Sequence, residues 1–214
     1  YEHMLSPYNL NFLVNKNTLV EEHIAGIPGD TFIRDFLPKC NESEKSQIAK
    51  EYVKFNERSM IRLLGDMRAY NYVVVPTHDF DQVVYKIRPI DFDQQSFEGK
   101  LSVYRPQFFK ENFPIMELVR DKLNRDSINQ YKIEERSIVA RRIISSGNRL
   151  KKLLKIMQSD ETTMKSNLQR LKKEIYNFTK DQDFLKSKSM GDVMSAALNF
   201  VRLNYEKVNM QDFF

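Results

Sequence analysis

Between Gly65 and Asp93 two β-rich runs stand close together: Asn-Tyr-Val-Val-Val (71–75) and Val-Val-Tyr-Lys-Ile-Arg-Pro-Ile (83–90), with Thr77 to Gln82 as the turn. From Pro106 onward the pattern is helical. The expected arrangement is an α+β fold, mostly helical, with short β-hairpins. Pro76 and Pro89 lack the donor that a central ladder requires, and so mark strand ends or edges. An acid, Asp66, stands five residues before the amide of Asn71, and the second run ends in another acid, Asp91. Pairing the two runs brings Asn71 and Asp91 together at the open end of the hairpin, beside the loop holding Asp66. One base candidate beside two oxygen donors for a hard divalent cation is an arrangement suited to phosphoryl transfer.

The elements around this unit follow from local signals. Asn-Phe-Leu-Val-Asn and Thr-Leu-Val-Glu-Glu-His-Ile, joined at Lys16-Asn17, predict a first hairpin over 10–25. Ala-Gly-Ile-Pro-Gly (25–29) breaks regular structure, and Asp30 is expected to cap a short helix to about Leu37, limited by Pro38. Asn41 and Glu44 form the pattern of a capping box, opening a helix that carries Ile48, Tyr52 and Phe55 on one face. Gly65 is expected to stop it, leaving Asp66 on the loop beyond. Helices are predicted from Gln107 toward Leu123 and from about Ser127, the second kinked or divided at Gly147. Met164, Leu168, Leu171, Ile175 and Phe178 form one apolar stripe; Met190, Met194, Ala197, Val201 and Tyr205 form another.

Composition narrows the functional classes. In 214 residues, 41% hydrophobic and 29% charged side chains fit a globular chain with ample core, not a disordered one. No apolar run approaches the roughly 20 residues that span a bilayer, so no membrane partner is expected. The single cysteine, Cys40, excludes an internal disulfide and points to a reducing, cytoplasmic setting. Cys40 itself is expected to be structural rather than nucleophilic. The net charge of +5 gathers in the C-terminal half, at Arg141-Arg142, Arg149 to Lys155 and Arg170 to Lys173. Such runs are expected as solvated helix faces; nucleic acid is a possible partner for them but not the favoured one. The first residue is Tyr1, not Met, so a piece of a longer product is expected.

At the Gly65–Asp93 residues the chain resembles the protein-kinase-like fold, in particular the aminoglycoside and choline kinase branch of small-molecule phosphotransferases. Gly65-Asp66 followed by Asn71 matches that family's catalytic loop, and Ile90-Asp91-Phe92-Asp93 looks like its metal-binding segment. Leu19 to Gly26 looks like the strand and hinge that pair with adenine, placing Glu22, His23 and Ile24 at a cofactor-binding position. The helix at 42–64 sits where the family feeds its catalytic loop. The resemblance implies Asp66 as base or orienter of an acceptor hydroxyl, with Arg68 neutralising charge on the transferred group. It implies Asn71 and Asp91 as magnesium ligands, with Asp93 as second choice, ATP as phosphoryl donor and a small molecule as acceptor. On this view residues 1–28 are a remnant of nucleotide-lobe strands and hinge, and 29–214 a kinase-like helical C-terminal lobe.

Several features depart from the family. Leu64 replaces the usual His before Gly-Asp, which removes a polar brace. The six glycines, at 26, 29, 65, 99, 147 and 191, make no Gly-rich phosphate loop. No strand lysine with a glutamate partner fits before the hinge, so a nucleotide-binding lobe is expected either upstream or lost. Two other readings remain. His78, Asp79 and Asp81 with Asp91 and Asp93 would serve a metal-dependent phosphoesterase or nuclease if they clustered. A helical binding or scaffold module would use the basic C-terminal face.

Overall fold

The structure, a computed structural model, describes residues 1–80, 82–160 and 162–207. It is α+β: two small antiparallel sheets and a larger helical body. The first hairpin, β1 (Phe12–Asn15) with β2 (Thr18–Glu21), pairs Phe12 with Glu21 and Asn15 with Thr18 across the turn where Lys16 takes φ 54°. Both of its faces are exposed. The second sheet has the order β3 (Ile27–Pro28), β4 (Tyr72–Asp79), β5 (Gln82–Pro89). The segment read as a break thus supplies a short strand, Ile27 and Pro28 opposite Val74 and Val73. Pro76 lies inside β4 rather than at its end, opposite Tyr85. It is tolerated because β3 covers β4 only at 73–74, so Pro76 stands where β4 is already an edge.

Helix α3 (Glu42–Ile61) begins on the expected capping box: Asn41 Oδ1 accepts from the Glu44 N–H at 2.9 Å, and Glu44 Oε2 from the Asn41 N–H at 2.8 Å. Its buried Ile48, Tyr52 and Phe55 meet Tyr72, Val74 and Ile87 of the sheet and Ile115 and Val119 of α4 (Phe113–Lys122) in one core. The helix stops three residues short of the expected Leu64. Leu63, not Gly65, takes the left-handed turn, at φ 50°. Gly65 serves close approach instead: a Cβ there would stand 3.1 Å from the Gln94 carbonyl oxygen and from Val103.

Asp30 does not cap. Pro28 precedes α2 (Gly29–Thr31), and the chain winds on through a wider turn at Phe32–Phe36 and a tighter one at Leu37–Lys39 that includes Pro38. Asp30 Oδ1 only accepts from the neighbouring Thr31 N–H. The helix expected from Gln107 opens as separate tight turns between Leu101 and Asn112, and α4 begins at Phe113.

Helix α5 (Arg125–Ser159) starts on Asn124, whose side chain accepts from the Ser127 N–H, and bends at Gly147 (φ 19°, ψ −99°), as the sequence predicts. A second core joins Val139 and Leu150 of α5 to Leu168, Leu171 and Ile175 of α6 (Lys165–Thr179), Phe184 of α7 (Asp183–Lys186), and Met194 and Leu198 of α8 (Met190–Asn204). Met164 drops out of its stripe, exposed at the residue preceding α6. Around its kink α5 packs on α1 (Glu2–Leu5), with the Ser146 hydroxyl, one residue before Gly147, donating to the Met4 carbonyl at 3.2 Å. No described helix is long and apolar enough to cross a membrane.

Candidate functional site

The loop after α3 is clamped from one side. The Gly65 N–H donates to the Gln94 carbonyl (3.2 Å), the Asp66 N–H to the Val103 carbonyl (3.1 Å) and the Ser96 N–H to the Leu63 carbonyl (2.8 Å). Asn112, wholly buried, holds it from another: its Nδ2 donates to the Met67 and Pro106 carbonyls, and its Oδ1 accepts from the Tyr72 hydroxyl. So fixed, Asp66 sits at φ 54°, a left-handed conformation that few residues other than Gly, Asn and Asp adopt readily.

Within the loop the predicted residues touch. Asn71 Nδ2 donates to the Asp66 carbonyl oxygen at 2.7 Å and to Asp66 Oδ2 at 3.2 Å. Arg68 Nε donates to Asp66 Oδ1 at 2.9 Å, while its Nη1 reaches Glu111 Oε1 at 3.0 Å and its guanidinium lies 5.0 Å from the centre of the Phe109 ring. Asp66 is therefore held by one bond on each carboxylate oxygen and remains about one-third exposed. Asn71 is almost buried, and with its nitrogen committed to Asp66 it has its oxygen left to offer.

The hairpin delivers the second acid. Tyr72 pairs with Pro89, and the Ile90 N–H donates to the Asn71 carbonyl at 3.0 Å, so Asp91 follows directly from the residue bonded to Asn71. The strand ends at Pro89, so Asp91 and Asp93 lie in a turn rather than on one strand face: the Asp93 N–H donates to Asp91 Oδ1 at 3.1 Å. Local desolvation, then the Asp91 and Asp66 charges, raise the Asp93 carboxyl above its ordinary pKa, against a lowering bond from Gln94. The three acids thus share one electrostatic neighbourhood.

A cavity of about 800 Å³ opens beside Asp91 and Asp93. From the first hairpin it takes Phe12, Leu19 and Glu21, not the predicted Glu22, His23 and Ile24, and neither Asp66 nor Asn71 lines it. Glu22 is turned to its own hairpin, where Oε2 accepts from Asn11 Nδ2 at 2.8 Å, and His23 is exposed. Other parts of its wall come from α1 and from Arg149 and Leu153 of α5. Sequence reasoning missed these residues, as it missed Glu111, Phe109 and Asn112. Only Arg149 carried a signal, as part of a basic run two residues past the kinking glycine.

His78 and Asp79 are not brought to Asp91. They end β4 at the hairpin tip, opposite Val83 and Gln82, roughly 23 Å along the ladder at strand rise. Asp81 lies outside the described residues. Among the described residues no group of three or more His, Cys, Asp or Glu side chains is disposed to hold a metal. The clustered acids that a two-metal phosphoesterase requires are therefore not assembled there. Cys40 is half-buried with its thiol 3.9 Å from the Tyr85 hydroxyl, and burial raises its pKa, which suits an inert structural thiol.

Comparison with protein-family models, with curated proteins and with solved structures returned no match to this chain.

Proposed function

We propose that this chain carries the catalytic lobe of a protein-kinase-like phosphotransferase, moving a phosphoryl group from magnesium-bound ATP to a hydroxyl, preferably that of a small molecule. The observation carrying the proposal is the Asn71 amide bonded back to Asp66 at 2.7 Å, with Asp91 next to the residue that pairs with Asn71. A base and a metal-ligand pair placed so would lie on one continuous stretch of chain, held in position by Val103, Glu111 and Asn112.

A hard cation suits the donor set. Asp91, Asp93 and the Asn71 amide offer oxygens only, and Asp91 and Asp93 stand close enough for the Asp93 N–H to donate to Asp91 Oδ1. When bound, magnesium would neutralise charge on the transferring phosphates. Asp66 would orient the acceptor hydroxyl and accept its proton as the new oxygen–phosphorus bond forms and the β–γ bridging bond of ATP breaks. Arg68, tied to Asp66 and Glu111, would position the base rather than contact the phosphoryl group.

Two variants test this reading. Asp91→Ala should weaken magnesium-ATP binding by more than about 100-fold by calorimetry, since it removes a charged ligand from the metal. Unchanged affinity would remove the metal role. Asp66→Asn should keep nucleotide affinity yet slow transfer to an acceptor found by metabolite screening by about 100- to 10,000-fold. Full turnover by that variant would make Asp66 structural. A chain that binds no nucleotide at all would return attention to the scaffold reading.

A further inference from the structure

Every residue from Asn11 to His23 is exposed, so the hairpin of β1 and β2 stands clear of both cores. Leu13 and Val14 are 74% and 64% exposed, with Phe12, Leu19 and Val20 roughly half exposed beside them. A ribbon of two strands is marginal in water until further strands or a helix join it, and a contiguous apolar surface of this kind marks a contact site. Exposed strand edges are ordinarily guarded by Lys, Pro or a bulge. From Asn9 to Asn15 the chain holds no charge and no proline, whereas β2 runs into Glu21 and Glu22.

The backbone shows which groups are left over. The Glu22 N–H donates to the Asn11 carbonyl at 2.9 Å, and bonded and non-bonded pairs alternate along an antiparallel ladder. With Phe12 opposite Glu21, the next bonded pairs are Leu13 with Val20 and Asn15 with Thr18. Phe12 and Val14 therefore turn their N–H and carbonyl groups to the outer edge of β1, where, among the described residues, no further strand lies. Two residues before Phe12 on that edge, the Leu10 carbonyl already has His3 Nδ1 at 2.9 Å.

We infer that β1 pairs antiparallel with β1 of a second copy of this chain, about a two-fold axis at Leu13, to give a four-stranded sheet. This register sets Phe12 against Val14 of the second copy as bonded pairs. Between them Leu13 meets its own counterpart in a non-bonded pair, the kind that brings side chains closest. A two-fold contact must be complementary to itself. Here Asn11 meets Asn15, Lys16 meets Leu10, and no like charges are opposed. The same operation on β2 would carry the glutamates of both copies into the seam. The five apolar side chains offer on the order of 500 Å² per copy, and edge pairing covers part of it, which sets a weak dimer at the small end of specific interfaces. None of this depends on the phosphotransferase reading.

Sedimentation velocity of the whole chain over roughly 1 to 300 µM tests it. The mass should rise from that of one chain toward that of two, with a dissociation constant of about 10 to 100 µM. Val14→Pro removes an outward donor, which a free edge tolerates and a central ladder does not; Leu13→Lys sets like charges face to face. Both should stay monomeric throughout, with thermal midpoints close to the parent's because the two side chains are exposed. In a Cys40→Ser background, Leu13→Cys should cross-link two chains with an added oxidant, since a non-bonded pair holds its Cα atoms within disulfide reach. Thr18→Cys, on the other strand, should not. A parent that is monomeric over the whole range overturns the inference. So does a dimer that survives either Val14→Pro or Leu13→Lys, and so does cross-linking no faster at residue 13 than at residue 18.

Discussion

Asp66 and Leu63 hold the left-handed region without being glycine, and Ser96, which bonds back to Leu63, holds it too at φ 52°. Three of the six such residues described thus lie in the two facing loops that present the acids. Strain of this kind persists only where the surroundings over-determine it, and it collects at sites that need fixed side chains. Asp93 shows the matching electrostatic tension. Its raised pKa means that protonation favours the folded state: the stability it contributes is present below the ordinary carboxylate range and is lost as pH rises through the raised value. At neutral pH the Asp93 charge therefore works against folding. Asp93→Asn should raise the unfolding midpoint at pH 7 by no more than about 3 °C, since the group is exposed and screened. The gain should vanish as the pH falls below the carboxylate range. A scan series across pH 3 to 8 checks it, and an equal gain at every pH would remove the like-charge explanation.

At the scale of elements, what could be read from the sequence was what neighbours decide. The capping box of α3 joins residues three apart, so Asn41 and Glu44 announce it without knowledge of the rest of the fold. The β4–β5 hairpin is equally local, and because Asp66, Asn71 and Asp91 flank it on one continuous stretch, the Asn71–Asp66 bond and the place of Asp91 one residue past the Ile90 that pairs with Asn71 were legible too. The stop of α3 was not. Gly65 looks like the residue to take a left-handed turn, but approach by the Gln94 and Val103 segment claims it for its missing side chain and passes the turn to Leu63. Strand β3 is two residues long and exists through its partners in β4, so no periodicity marks it. The same holds for the cavity: Leu19, Asp91 and Arg149 come from three separate regions, and only tertiary packing brings them together.

Over the whole molecule, the two hydrophobic cores meet across a buried ionic layer. On α3 the apolar sequence passes from Phe55, in the first core, to Ile61, in the second, with Glu57 and Arg58 between them; on α5 it passes from Tyr131 to Val139 with Glu135 and Arg136 between. Arg58 is the hub. Its Nη2 donates to Glu51 Oε1 at 2.7 Å and to the Ile87 carbonyl of β5 at 3.3 Å, and its Nη1 lies 3.2 Å from Glu135 Oε2. Beside it, Arg136 Nε meets Glu57 Oε1 at 2.5 Å, and Arg62 reaches Glu2 of α1. One helix thus ties the β4–β5 hairpin, α5 and the N-terminal segment that walls the cavity. Burial raises the Glu135 carboxyl, and the Arg58 charge opposes the rise. Removing Arg58 leaves Glu135 as a desolvated charge without its counter-ion, so Arg58→Met should cost about 3–5 kcal/mol in urea unfolding at neutral pH. Adding Glu135→Leu to that variant should recover part of the loss, because the second change removes the stranded carboxylate rather than a contact. A double variant no more stable than Arg58→Met would mean that the layer acts through packing of the guanidinium and not through charge. A loss below about 1 kcal/mol for Arg58→Met would mean that the cores hold together without it.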